Sequence, residues 1–204
     1  MRKNNLNKKS GFTLIEILVA VSIFALFLAV SSNSLVDVLR LEQKANVLRK
    51  TQQNTRYILE AIVREARNAN GEFIQIGQSK ERVASAYQFE PTGELVITST
   101  DFENNKVTEK VYYNEGEVIK MDVLSKPIGA SAFVPENTGI ALNNVEDTKI
   151  TQFNFNGSEF YTNLELPPLL RITIEAESGE GQDANRVELR AHTLLESSAT
   201  PRSY

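Results

Sequence analysis

Two spacings of apolar residues divide the chain into a helical first part and a strand-rich second part. Up to residue 70, apolar and small side chains recur mostly every three or four positions, which predicts an α-helix. No glycine or proline lies between Gly11 and Gly71, so nothing must interrupt that helix. After Gly71 the apolar positions alternate, which is typical of half-buried strands. We therefore expect an α+β fold in which a long N-terminal helix packs by its second half on an antiparallel sheet, while its first half stands free.

The beginning of the predicted helix is apolar enough to cross a membrane. The stretch from Phe12 to Val30 contains one ionisable side chain, Glu16, and could span a hydrocarbon core of about 30 Å. Basic residues precede it and charges of both signs follow it, so the positive-inside tendency predicts a cytoplasmic N-terminus and an external head. A secretory signal peptide fits less well, because the apolar run is long and the helical spacing continues beyond it.

The carboxylate of Glu16 is the most informative feature of this apolar stretch. A charge inside a membrane span costs a few kcal/mol unless it is neutralised or paired. One interpretation is that Glu16 extends to the membrane interface near the start of the helix. We favour a specific partner for this carboxylate, because intramembrane acids usually mark function.

Further along the helix, the segment from Glu42 to Arg56 is poor in apolar residues and rich in Gln, Asn and Thr, which predicts a bend or a loosened turn. Residues 125–144 contain prolines and glycines with little periodicity, so we interpret them as a long surface loop. Turn-like segments at 103–105 and 114–117 join three of the predicted strands into a meander. The predicted strands are Glu72 to Ile76, Ala86 to Glu90, Glu94 to Thr100, Lys106 to Asn114, Val118 to Leu124, Thr148 to Asn156, Leu169 to Glu177 and Arg186 to Leu195.

The composition argues against most catalytic chemistry. The chain has no cysteine and 1 histidine, His192, which lies in a strand-like pattern and is interpreted as structural. The net charge of −4 argues against direct nucleic-acid binding. We expect no enzymatic activity, no cofactor and no metal. The acidic tract with Glu177, Glu180 and Asp183 could bind calcium, but a solvated hairpin tip is the favoured interpretation.

The first residues resemble a known processing signal. The string KKSGFTLIEILVAVSIFALFLAV, with a basic leader, Gly11, Phe12 and Glu16, resembles the class III leader and N-terminal helix of type IV prepilins and type II secretion pseudopilins. The resemblance implies that a prepilin peptidase cuts between Gly11 and Phe12 and N-methylates the new amine of Phe12. It also implies that Glu16 neutralises the amine of a neighbouring subunit. Such a pair would fix the axial register, because sliding would expose both charges.

Three further segments resemble the J-type minor pseudopilins and the related PilW-like minor pilins. They are residues 55–69 (TRYILEAIVREARNA), 141–155 (ALNNVEDTKITQFNF) and 166–177 (LPPLLRITIEAE). Together they favour a minor subunit over a major one. Arg64 and Arg67 match basic positions of the first segment, but we interpret them as ordinary exposed helix charges.

The expected organisation is a leader at 1–11, a transmembrane and polymerisation helix at 12–34, an amphipathic continuation at 35–70 and a β-rich head at 71–204. The resemblance implies a minor pilin or pseudopilin that initiates, caps or decorates a filament. Its implied partners are other pilin subunits, the prepilin peptidase and methyltransferase, an inner-membrane assembly platform and the lipid bilayer. The subunit would reside in the cytoplasmic (inner) membrane before entering a periplasmic or extracellular filament. An adhesin or other binding domain displayed on the filament or membrane is the alternative.

Overall fold

The computed structural model describes residues 11–76, 79–90, 93–157, 169–178 and 192–200. The helix α1 (Leu14–Asn68) comes first, and all described strands follow it. The predicted α+β class, with one long N-terminal helix followed by antiparallel sheets, is confirmed. The chain divides into two compact units, Met1–Gln43 and Lys44–Tyr204.

The second unit holds three antiparallel sheets within the described residues, where a single sheet was expected. Their orders are β1-β2, β10-β9-β8 and β3-β4-β5-β6-β7. The predicted meander is confirmed, because β4, β5 and β6 pair consecutively. The strands are β1 (Glu72–Ile76), β2 (Ser79–Ala84), β3 (Tyr87–Glu90), β4 (Glu94–Asp101), β5 (Lys106–Glu115), β6 (Val118–Pro127), β7 (Val134–Ala141), β8 (Thr148–Gly157), β9 (Leu170–Ser178) and β10 (His192–Ala199).

The interpretation of residues 125–144 as one long loop is wrong, because β7 lies inside this segment and pairs with β6. Every side chain of β7 is exposed, so the strand has no alternation to detect. Polar contacts hold it instead: the backbone N–H of Gly139 donates to Asp122 at 2.6 Å, and the hydroxyl of Ser125 donates to Glu136 at 2.7 Å. The polar strand β2 also went unpredicted, and residues 186–191 of the last predicted strand lie outside the described residues.

The loosened turn predicted between Glu42 and Arg56 is wrong, because every residue of this segment is part of the helix α1. Two threonines of this segment lie on the buried face of α1: Thr51 and Thr55 are fully buried. Their hydroxyls donate to the carbonyls of Val47 and Thr51, so burial leaves neither hydroxyl unsatisfied. The side-chain amide of Asn54 donates to Thr148 of β8 at 3.0 Å, which ties the helix to the three-stranded sheet.

The apolar face of α1 forms part of the core of the second unit, as predicted. The Tyr87 hydroxyl donates to the Ala66 carbonyl at 2.8 Å, which joins β3 to the helix. Burial of these apolar side chains is the main favourable contribution to folding. The buried helix residues in this core are Ile58, Leu59, Ile62, Val63 and Ala66, and they meet sheet residues that include Leu95, Ile119, Leu170, Ile172 and Ile174.

The turn from α1 into β1 depends on Asn70 and Gly71. Gly71 has φ of 85°, and a Cβ at this position would lie 2.4 Å from the Ala84 carbonyl oxygen. The Asn70 side chain accepts from the Thr100 N–H at 2.7 Å and donates to the Thr100 carbonyl at 3.0 Å. These bonds set the direction in which the chain enters the sheets.

Lys126 and Glu72 form the most buried ion pair among the described residues. Their charged atoms are 2.8 Å apart, and the side chains are only 7% and 13% exposed. The ring of Phe133 covers the Lys126 ammonium, with 4.2 Å between the ring centroid and Nζ. The nearby Glu109 has a raised pKa, chiefly because burial disfavours its charge; Lys126 opposes this rise, and other acids, Glu72 among them, add to it. The pair joins β1 to the five-stranded sheet.

Candidate processing and assembly site

The peptide bond between Gly11 and Phe12 lies in the short non-helical segment that precedes α1. A Cβ added at Gly11 would meet no atom within 4 Å, and Gly11 is not among the glycines with positive φ. The fold of the chain therefore does not itself require glycine at this position. The Phe12 side chain is 81% exposed. A selective demand for glycine would have to come from a molecule that recognises this segment.

Thr13 and Glu16 form a capping box at the start of α1. The backbone N–H of Glu16 donates to the Thr13 hydroxyl at 3.3 Å, and the Thr13 N–H donates back to Glu16 Oε2 at 3.3 Å. The Thr13 hydroxyl also donates to the same carboxylate oxygen at 3.3 Å. This reciprocal arrangement satisfies N–H groups that the first turn of a helix leaves without partners. It also places a negative charge at the positive end of the helix dipole.

The role of Thr13 was missed in the sequence analysis. The signal was present, because Thr13 and Glu16 are separated by three positions, which is the spacing of a capping box before an apolar run. The position of Glu16 in an apolar span predicts a partner in another molecule and does not indicate this local one. The structure therefore gives Glu16 an immediate neighbour within its own chain, at the beginning of the apolar helix.

The first unit presents an apolar helical surface. By length and composition α1 contains a segment able to cross a membrane, and none of that segment is buried. Its large side chains are exposed; Leu26 and Phe27, for example, are 69% and 66% exposed. Ser22 and Ser34 donate their hydroxyls to carbonyls one turn earlier, at 2.8 and 3.2 Å. Such internal bonds suit a lipid environment, where water cannot satisfy polar groups.

Comparison with known families places a motif on this segment. Residues 6–32 match the family model described as the prokaryotic N-terminal methylation motif. The match supports the type IV pilin and pseudopilin family. Searches among curated proteins and solved structures find no match. The matched residues include Gly11, Phe12, Thr13 and Glu16, so the motif and the structural features described above coincide.

The motif and the apolar helix together support a single-pass, membrane-anchored chain. A prepilin-type methylation motif implies processing by a prepilin peptidase and assembly with other pilin subunits. It also points to a structural subunit rather than to an enzyme. The motif ends at residue 32, so it carries no information about the head.

His192 and the acidic tract are the other candidates for chemistry that the sequence offered. His192 begins β10 at an exposed position and pairs in register with Glu177 of β9. Glu180 and Asp183 of the acidic tract lie outside the described residues. Among the residues that the structure describes, no group of three or more His, Cys, Asp or Glu side chains could hold a metal ion.

The three segments that resemble J-type minor pseudopilins occupy the end of α1, the approach to β8 together with β8 itself, and β9. Asn54, just before the first segment, donates to Thr148 in the second. The second and third segments pair through the β8–β9 ladder. Residues 166–168 lie outside the described residues. The resemblance therefore falls on elements that pack together, which is consistent with a shared fold and does not define a subtype.

Proposed function

We propose that this protein is a minor pilin or pseudopilin, a structural subunit that initiates, caps or decorates a type IV pilus-like or type II secretion filament. The observation that carries the proposal is the methylation motif at residues 6–32 followed directly by an exposed apolar helix. The minor role is proposed on the three segments that resemble J-type subunits. An apolar helical surface of this extent needs a covering of lipid or of neighbouring helices.

Processing would begin in the cytoplasmic membrane, with the N-terminus in the cytoplasm and the head outside. The prepilin peptidase would cut between Gly11 and Phe12 and methylate the new amine of Phe12. The domains then have distinct tasks: 1–11 is the leader, 12–34 the membrane and polymerisation helix, 35–70 its continuation, and 71–204 the head. Two observations support access for such an enzyme. A Cβ added at Gly11 would meet no atom within 4 Å, and the Phe12 side chain is exposed.

Glu16 is proposed to pair with the amine of Phe12 in a neighbouring subunit. Two charges that would each be costly in an apolar surrounding then become a pair. The capping box supports this role, because hydrogen bonds from Thr13 hold the Glu16 carboxylate at the start of the helix. Thr13 directly follows Phe12, the residue whose amine is the proposed partner in the neighbouring subunit. The pair would set the axial step between subunits, while an assembly platform in the inner membrane supplies the movement out of the bilayer.

The test is incorporation into filaments in the native host, with the chromosomal gene replaced by Glu16→Gln. We expect the unaltered protein in the sheared filament fraction, and the variant cut but retained in the membrane fraction. Quantitative immunoblots of both fractions measure the ratio. Glutamine keeps the size of the side chain and removes only its charge.

Asp37→Asn is the matched control, because Asp37 is an acid on the same helix that already faces Arg40 at 3.9 Å and is well exposed. This control should be incorporated as efficiently as the unaltered protein. Equal incorporation of Glu16→Gln would overturn the pairing role. Absence of the unaltered protein from filaments would overturn the proposed function itself.

A further inference from the structure

A groove runs between the exposed face of α1 and the edge strand β10 in the second unit. It consists of two successive depressions. The first, of about 320 Å³, is lined by Arg49, Gln52, Gln53 and Arg56 of the helix and by Leu195 of β10. The second, of about 590 Å³, lies alongside the last turns of the helix and is bordered by Ser197 of β10. We call these two depressions the arginine groove.

The arginine groove is basic, although the chain as a whole is acidic, with a net charge of −4. Arg49, Arg56, Arg64 and Arg67 line it, and Glu60 is the one acid among the described residues of its lining. Glu60 is already engaged with Arg56 at 2.7 Å. Within the described part of the chain, the other three guanidinium groups have no ion-pair partner. The groove therefore has unpaired positive charge to offer an acidic ligand.

The strand that borders the groove has an edge that no other described strand pairs with. β10 pairs with β9 along eight consecutive residue pairs without a register shift, and it is the terminal strand of its sheet. Among the described residues no backbone group hydrogen-bonds to its outer edge. Glu196, its acidic residue, is paired with Arg171 of β9 at 2.9 Å. A regular, unpaired edge of this kind is a template for an added strand.

The edge strand β7 shows how this fold protects an edge that is not used. β7 contains Pro135, its Gly139 has φ of 66°, and its pairing with β6 has register shifts. Proline and irregular pairing are common means of preventing strand addition. None of these features occurs in the ladder between β10 and β9.

We propose that the arginine groove and the open edge of β10 together bind an extended, acidic segment of a partner protein, which adds to the sheet as a further strand. Alternate side chains of an added strand face the helix, so acids at those positions would meet the arginines. A second copy of this chain is a poor occupant. Edge-to-edge pairing of two β10 strands would bring two arginine grooves together, and like charges across an interface oppose association. The inference holds whether or not the chain enters a filament.

The test uses the full chain in non-ionic detergent micelles and a fluorescently labelled peptide of alternating valine and glutamate, equal in length to β10. Fluorescence anisotropy measures binding, and hydrogen exchange reports on the β10 amides. We expect saturable binding, slower exchange along β10, and no binding of the corresponding valine–lysine peptide. Arg49→Glu/Arg64→Glu should weaken binding at least about tenfold, equivalent to about 1.4 kcal/mol.

Arg40→Glu is the matched control, because Arg40 lies on the same helix, is exposed, pairs with Asp37 and does not line the groove. It should change the affinity by less than about twofold, within the scatter expected for surface charges. Equal binding of both peptides, equal losses in both arginine variants, or unchanged exchange of β10 would overturn the proposal. So would self-association of the chain through the groove, or binding to anionic vesicles that needs Arg49 and Arg64 and leaves β10 exchange unchanged. Thermal unfolding of each variant confirms that it is folded.

Discussion

The two parts of α1 have opposite relations to the rest of the chain. In the first unit, apolar side chains cover the helix on all sides and remain exposed, as at Leu26 and Phe27. In the second unit, one face of the helix carries buried apolar side chains, with Ile62 and Ala66 at 0% exposure. The second part completes its packing within the chain. The first part needs a covering from outside, which fits a helix that exchanges lipid for neighbouring subunits.

The carboxylates of the two parts differ in the same way. Glu72 in the second unit is paired with Lys126 and shielded from water. Glu16 in the first unit makes hydrogen bonds with Thr13 alone among the described residues. Buried acids usually have a charged partner. Glu16 would need such a partner once lipid or neighbouring helices surround it, and this is the pairing that we propose.

The largest difference in the free energy of unfolding is expected between two variants that truncate an apolar side chain, one in each part of the helix. Ile62→Ala should lower the free energy of unfolding by about 3 kcal/mol, because it leaves a cavity in a packed core. Leu28→Ala should leave it unchanged within about 0.5 kcal/mol, because the Leu28 side chain has no such packing to lose. Urea unfolding of the full chain in micelles, followed by tyrosine fluorescence, measures both. Similar losses for the two variants would remove the contrast.

Removing Lys126, the partner of Glu72, should lower the free energy of unfolding by nearly as much. Lys126→Met leaves a buried carboxylate unpaired, so we expect a loss of about 3 kcal/mol in the free energy of unfolding. Adding Glu72→Met should recover most of this loss, because the uncompensated charge is then gone. Lys106→Met is the matched control: its partner Glu136 is 40% exposed, so the loss should stay below about 1 kcal/mol. A double variant no more stable than Lys126→Met would contradict this account.

A smaller, local effect is expected at the start of α1. Thr13→Val keeps the shape of the side chain but removes the capping hydroxyl, which typically costs about 1 kcal/mol. Hydrogen exchange in micelles should become faster at residues 14–17, with global unfolding unchanged. Ser22→Ala removes a hydroxyl that bonds only to its own helix, so exchange at residues 14–17 should not change. Unaltered exchange in Thr13→Val would mean that the capping box contributes nothing.

The smallest effect concerns pH and Glu109. Burial raises its pKa above the ordinary value of 4.5, so its charged form is disfavoured in the folded state. Glu109→Gln should therefore stabilise the protein at neutral pH, and this gain should vanish as the pH falls through the raised pKa.

Glu136 should behave oppositely to Glu109, because hydrogen bonds from Lys106 and Ser125 lower its pKa. The ionised Glu136 carboxylate contributes to stability above pH 4.5, and this contribution is lost as the pH falls below that value. Glu136→Gln should therefore destabilise the protein at neutral pH. Unfolding midpoints across this pH range decide both signs.

The sequence was sufficient for the class of fold and for most strands, because their side chains alternate between core and solvent. β7 escaped prediction because all its side chains are exposed, and its pairing depends on contacts such as that between Gly139 and Asp122. The helix at Thr51 and Thr55 was misjudged because polar residues can pack when their hydroxyls bond within the helix. The sequence pattern could not reveal these hydrogen bonds, which hold an exposed strand in one case and allow buried threonines in the other.

At the candidate site, the sequence singles out Gly11, Phe12 and Glu16 because they match a motif of fixed spacing at an apolar run, and their roles stay predictions. Thr13 was overlooked although its spacing from Glu16 was readable. The arginine groove could not be predicted, because it requires α1 and β10 to lie side by side, and nothing in the local pattern indicates that contact. Arg64 was accordingly interpreted as an ordinary surface charge.

The cleavage between Gly11 and Phe12 is the most direct test of the central claim. The full chain would be expressed with and without a prepilin peptidase, and the mature N-terminus determined by intact mass spectrometry, with Gly11→Val as control. A Cβ at position 11 meets no atom within 4 Å, so this variant should fold normally. The account predicts a product beginning at N-methylated Phe12 that needs the peptidase and is lost in Gly11→Val. An uncut chain, or a cut after Ala29 or Ser32, would contradict it.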